Sequence, residues 1–147
     1  RPTDTIVLVC AEGTEVEART RLARIGFDRV AGALGEPTTQ MQRHVEHVRS
    51  ASRLTATQFR ERREALANLV VIDVRGPGEV ANGMIDGARN VQLASLLEGA
   101  TTLDPSAPTV VYCAGGYRSS IAASTLRSLG FNDVSDIVGG FGAWQTK

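Results

Sequence analysis

Short apolar runs alternate along this chain with stretches of helical spacing, and that alternation leaves few folds open. Runs at residues 5–10, 69–73, 109–112 and 134–137 are rich in Val and Ile and bounded by Gly, Pro or Asp, as buried strands are. Between them lie segments of helical pattern: 15–25 closed by Gly26, 55–67 opening on Thr55 and Gln58 as a capping box, 94–98, and 119–129 closed by Gly130. A shorter helix is expected at 78–81, and short strands at 29–31 and 89–91. Strands separated by helices pair in parallel and need helices on both faces. The expectation is a three-layer α/β/α fold around a parallel sheet. Gly35 and Pro37 break the pattern, and Met41, Val45 and Val48 then recur at helical spacing in a connecting helix whose apolar residues are read as packing residues.

One strand end carries chemistry. The run Thr109-Val110-Val111-Tyr112 ends in Cys113 and the loop Ala114-Gly115-Gly116-Tyr117-Arg118, which leads directly into a helix. Open α/β sheets place ligands at the carboxyl ends of their strands, and a helix N-terminus presents unpaired N–H groups there. Such donors, with the Arg118 guanidinium beside them, favour thiolate over thiol and lower the pKa of Cys113. An inert buried thiol needs neither two consecutive glycines nor an adjacent arginine. Arginine in the first turn of a helix opposes the macrodipole, so Arg118 is read as an anion-binding group. Tyr117 either gates the pocket or packs on it.

With these residues in view the chain resembles the rhodanese-like sulfurtransferases. The resemblance runs over about residues 54–144 and rests on ordered landmarks: Val70-Val71-Ile72-Asp73-Val74-Arg75, Glu79, Gly83-Met84-Ile85-Asp86-Gly87-Ala88, the Cys113 loop, and Gly139-Gly140-Phe141-Gly142-Ala143-Trp144. It implies a five-stranded parallel sheet and a catalytic Cys113 that accepts a sulfane sulfur as a persulfide. Ala114, Gly115, Gly116, Tyr117 and Arg118 would form the persulfide cradle, with Asp73 and Arg75 in support as an architectural pair. The donor would be thiosulfate or a low-molecular-weight persulfide and the acceptor a thiol, with no cofactor beyond the covalent persulfide. Related phosphatases and arsenate reductases place five residues between cysteine and arginine, whereas here four intervene, which favours sulfur over phosphate. A non-catalytic module that docks a sulfur-carrying partner is a further reading of the same motifs. Met84 stands where the family usually has histidine, which excludes a histidine-assisted mechanism at that position.

The first part of the chain repeats the second. Ile6-Val7-Leu8-Val9-Cys10-Ala11-Glu12-Gly13, followed by Ala18, Leu22 and Gly26-Phe27, parallels Val110-Val111-Tyr112-Cys113-Ala114-Gly115-Gly116, followed by Ala122, Leu126 and Gly130-Phe131. Glu12 and Glu15 sit around the first loop, where negative charge repels a thiolate, so Cys10 is expected to be inert. The organisation expected is a partial degenerate rhodanese repeat at 1–36, a connecting helix or linker at 37–51 and a complete rhodanese-like domain at 52–147. Active repeat behind degenerate repeat is similar to the C-terminal part of bacterial metallo-β-lactamase-fold proteins fused to rhodanese domains. That likeness implies a metallo-hydrolase domain as a further partner, and the open strand at 6–9 suggests a homodimer.

Charge and composition exclude several classes. Sixteen basic and sixteen acidic side chains give zero formal net charge, so no basic stripe for nucleic acid is expected, and Arg60 to Arg63 reads as a solvated Arg/Glu face. No run is long and apolar enough for a membrane span. The only histidines, His44 and His47, lack the further ligands a metal site requires. Two cysteines in separate segments make no disulfide framework, which suits a reducing cytoplasm.

Overall fold

The computed structural model describes residues 1–146, which form two compact units, Arg1–Ser50 and a second that begins at Ala51. The N-terminal unit contains β1 (Ile6–Leu8), α1 (Glu15–Ala23), β2 (Val30–Ala33) and α2 (Pro37–Arg43). Its two strands pair in parallel as a two-stranded sheet, with α1 as the crossover. The unit has a thin core. Leu8 is its one buried hydrophobic residue, whereas Val7, Val9, Val16 and Ile25 are exposed and neither helix has a buried residue.

The second unit runs β3 (Ser52–Leu54), α3 (Ala56–Ala65), β4 (Val70–Asp73), α4 (Pro77–Val80), β5 (Arg89–Asn90), α5 (Leu96–Gly99), β6 (Thr109–Tyr112), α6 (Tyr117–Ser128), β7 (Val134–Ile137) and α7 (Gly140–Gln145). Its five strands are all parallel, in the order β3-β7-β6-β4-β5. Central β6 is buried along its whole length, and its side chains alternate between two cores as the period of a strand demands. Val111 and Cys113 join Ile72, Val74, Leu96, Ala122 and Leu126 on one face, while Val110 and Tyr112 join Val71, Ile137, Phe59 and Ile85 on the other. This is the α/β/α sandwich expected from the sequence.

Three features depart from the sequence reading. The fifth strand, β3, is a three-residue edge strand whose polar Ser52 and Arg53 gave no apolar run. Its register is set by cross-strand pairs with β7: Ser52 Oγ lies 2.7 Å from Ser135 Oγ and Arg53 pairs with Asp136. The Gly-rich landmark 139–144 includes a short helix, α7, in a segment to which the sequence reading assigned no element. Met41, Val45 and Val48 do not form a packed stripe; they are 46%, 68% and 37% exposed. The chain leaves α2 at His44 (φ −125°, ψ 50°) and resumes in a single 3₁₀ turn, Val45–His47, so the helical spacing is not carried by one helix.

Candidate active site

The sequence predicts a strand, a sharp turn and a helix around Cys113, and the backbone supplies the turn at Gly116. Gly116 caps α6 with φ 100°, a left-handed conformation that favours glycine. A Cβ there would also stand 3.2 Å from the Gly139 amide nitrogen. Gly140 is more constrained still, because a Cβ would overlap the Cys113 and Ala114 carbonyl oxygens. That close approach lets Phe141 N–H donate to the Cys113 carbonyl (2.7 Å) and Gly142 N–H to the Ala114 carbonyl (3.1 Å). The landmark at 139–144 thus clamps the backbone of the cysteine loop from behind.

With its carbonyls held, the loop turns N–H groups toward the sulfur. Gly116 N–H donates to Cys113 Sγ at 3.1 Å, and Ser119 Oγ lies 3.6 Å from the same sulfur. Ser119 has one hydroxyl proton, and with the thiol protonated it donates to the Gly116 carbonyl at 3.1 Å while the S–H donates to Ser119. Once the thiol ionises, that hydroxyl is free to turn its proton to sulfur. Burial pushes the Cys113 thiol up, but the Ser119 hydroxyl and the N–H groups of Ser119, Gly116 and Gly115 outweigh it and hold its pKa below the ordinary 9.0. The thiol is buried.

Arg118 meets a partner that the sequence reading did not assign. Its two terminal nitrogens grip the Glu79 carboxylate at 2.6 and 2.7 Å in a bidentate fork. Glu79 also accepts from Gly76 N–H at 3.3 Å, which ties it to the start of α4. The Arg118 fork and the Gly76 amide hold the Glu79 carboxyl at about 2 against the burial that opposes ionisation. Glu79, Arg118 and Cys113 come together because β4 and β6 are neighbours and both end at the same edge of the sheet. The electrostatic penalty of an arginine in the first turn of α6 is thereby offset within the protein.

Asp73 and Arg75 form a second, deeper ion pair. Arg75 Nη2 donates to Asp73 Oδ2 at 2.7 Å and to the Gly83 carbonyl at 2.7 Å, with side-chain exposures of 5% and 0% for Arg75 and Asp73. The guanidinium lies over the Phe141 ring at 4.1 Å. The pair therefore links the end of β4 to the clamp helix. Ala114 and Tyr117 face outward, Tyr117 being 79% exposed. Met84 is a partly buried packing residue of the core that holds Phe59 and Tyr112. Among the described residues no group of His, Cys, Asp and Glu could hold a metal ion, and no helix is long and apolar enough to cross a membrane.

A family model for the rhodanese-like domain matches residues 55–147, more than half of the chain. The chain belongs to the rhodanese-like domain family. YqhL of Bacillus subtilis is 35% identical over 104 residues, covering 71% of this chain and 80% of that protein. The thiosulfate sulfurtransferase GlpE of Pseudomonas putida is 41% identical over 76 residues, 52% of this chain and 69% of GlpE. Among solved structures, a rhodanese-related protein from Thermoplasma volcanium superposes with a TM-score of 0.58 at 31% identity, over 63% of this chain and 89% of that one.

In this rhodanese-like domain the sequence reading found the loop because its residues are contiguous. It missed Ser119 and Glu79 as parts of the site. Ser119 was readable as the first-turn residue six positions after Cys113. Glu79 stands three residues after Gly76, where a carboxylate caps a helix start, but its reach to Arg118, 39 residues on, needs the fold.

Proposed function

We propose that this rhodanese-like domain is a sulfurtransferase in which Cys113 is the nucleophile. The observation that carries the reading is the Cys113 sulfur held at the carboxyl end of β6 with loop N–H groups and the Ser119 hydroxyl around it. These donors stabilise the thiolate and then the terminal sulfur of a persulfide, which carries the same charge in nearly the same place. Kinship with proteins named thiosulfate sulfurtransferase supports the same class of reaction.

In the first half-reaction the Cys113 thiolate attacks the sulfane sulfur of a donor. With thiosulfate the S–S bond breaks and its electron pair leaves with sulfite, giving Cys113–S–S⁻. With an organic persulfide R–S–SH the same attack releases R–S⁻, and the proton stays on the transferred sulfur. In the second half-reaction an acceptor thiolate attacks the outer sulfur and Cys113 leaves as thiolate. No general acid is required, because every leaving group is already a stable anion. The reaction needs Cys113 reduced, as in a reducing compartment.

Intact mass after incubation with thiosulfate or an organic persulfide tests the reading. One added sulfur, mapped to Cys113 and removed by a thiol acceptor, is the expected result. Sulfur mapped to Cys10, or to neither cysteine, overturns it.

A further inference from the structure

The cation that a dianionic donor would need is already neutralised by the protein. Arg118 is gripped by Glu79 at 2.6 and 2.7 Å. On the opposite side of the loop, Arg53 would lie 3.8 Å from a Cβ at Gly116, and it donates to both oxygens of Asp136 at 2.9 to 3.3 Å. Arg75, behind Phe141, is held by Asp73. Each of these three guanidiniums carries its own carboxylate. When thiosulfate meets the thiolate, three negative charges gather where these pairs offer no net positive charge; when R–S–SH meets it, one does.

The space beside the loop agrees with the second case. A cleft of about 350 Å³ is lined by Val74, Gly76, Gln92, Leu93, Ala94 and Arg118. Val74, Leu93 and Ala94 give much of that wall as carbon, and Gln92 and Arg118 contribute its hydrogen-bonding side chains. Such a wall suits an organic body attached to sulfur better than a sulfonate.

Resting on the sulfurtransferase reading above, we infer that Glu79 is a specificity-determining residue that turns the Cys113 site toward organic persulfides and away from dianionic thiosulfate. By engaging Arg118 it cancels the charge that would pay for a dianion, while leaving the thiolate its hydrogen bonds from Gly116 and Ser119. Glu79 makes no contact with the reacting sulfur; it acts through Arg118.

Single-turnover loading of Cys113 tests this, read by intact mass with two probes: thiosulfate, and 2-hydroxyethyl persulfide, whose body is uncharged. Glu79→Gln should raise the second-order loading constant for thiosulfate about fivefold to tenfold, as expected for removing one nearby charge at intermediate dielectric. The constant for 2-hydroxyethyl persulfide should change less than about twofold, because it brings no dianion to repel. Arg118→Gln provides the converse and serves if Glu79→Gln does not fold: thiosulfate loading should fall by several times more than persulfide loading. A parallel change with both donors, or no change with either, in a folded variant overturns the inference and assigns the pair a structural role. If unaltered protein takes up no sulfur from either probe, the sulfurtransferase reading itself falls and this inference with it. Loading of the unaltered protein with an unchanged donor ratio in the variants removes only the role of Glu79.

Discussion

The strand, loop and helix around Cys10 and those around Cys113 are two versions of one local design, and their difference lies in what the loop N–H groups face. At Cys113 the Gly116 amide donates to sulfur. In the first loop the corresponding donor, Gly13 N–H, is taken by the Glu15 carboxylate at 3.1 Å. The Thr14 hydroxyl, also in that loop, donates to the Ala11 carbonyl. Both cysteines follow parallel strands and both helices are followed by a glycine, Gly26 or Gly130, so position in the motif does not distinguish the two thiols. Loop amides aimed at sulfur do. The supports differ as well: α6 buries Ser119, Ala122, Ala123 and Leu126 against its sheet, whereas α1 buries nothing.

The most severe test of this contrast exchanges the sulfur atoms. Cys113→Ser should abolish sulfur loading, because a serine hydroxyl is not ionised at neutral pH. Cys10→Ser should leave the loading rate within about twofold. Stopped-time mass measurements on both variants check this, and comparable losses from the two would erase the distinction between the loops.

The next largest effect concerns the support beneath the second loop. Asp73→Asn leaves the Arg75 guanidinium buried without its counter-charge, which costs about 3 to 5 kcal/mol for a buried pair. Trp144 is the only tryptophan, and it packs edge-on against Phe59 at 5.2 Å, so its fluorescence reports unfolding of the second unit alone. Urea titration followed at Trp144 should show this loss, while unchanged stability would mean that the pair adds nothing to the frame of the site.

How much of this was visible beforehand follows from the range of the interactions. The parallel sheet was legible because each central strand is a self-contained apolar run, and the cysteine loop because six consecutive residues carry it. Edge strand β3 was not, since Arg53 and Ser52 become strand residues only when Asp136 and Ser135 stand opposite them. Arg118 was legible as an anion-binding cation but not as an occupied one. Its anion is a glutamate from another crossover, and no local pattern connects the two. Met41, Val45 and Val48 show the reverse error, a helical period in a segment whose backbone breaks at His44.

A smaller effect separates the electrostatics of sulfur from its surroundings. The Cys113 thiol ionises below the ordinary thiol value, so its rate of alkylation by iodoacetamide should rise with pH through a midpoint below pH 9.0. Ser119→Ala removes the leading favourable contribution while burial remains, so the inflection should move to higher pH. An unmoved profile would assign the shift to the backbone amides alone. The Glu79 carboxyl is shifted in the same sense. Its pKa falls from 4.5 to about 2 on folding, so its contribution to stability is complete above pH 4.5 and is lost as the pH falls toward 2. Both partners are more than a third exposed, which screens the pair and keeps that loss small.

The smallest contrast compares two threonines at helix starts. Thr55 accepts from Gln58 N–H at 3.2 Å, and the Gln58 side chain accepts from Thr55 N–H at 2.9 Å, so two backbone donors of α3 depend on this box. Thr55→Ala should therefore cost about 1 kcal/mol, read at Trp144 by urea titration. Thr14 occupies the same place before α1, yet its side chain accepts no N–H from the helix and donates instead to the Ala11 carbonyl at 2.6 Å. Thr14→Ala leaves the α1 donors as they are, and amide exchange in its first turn should stay within about twofold of the unaltered chain. Equal opening of the two helices by the two substitutions would show that the side-chain cap is not what distinguishes these helix starts.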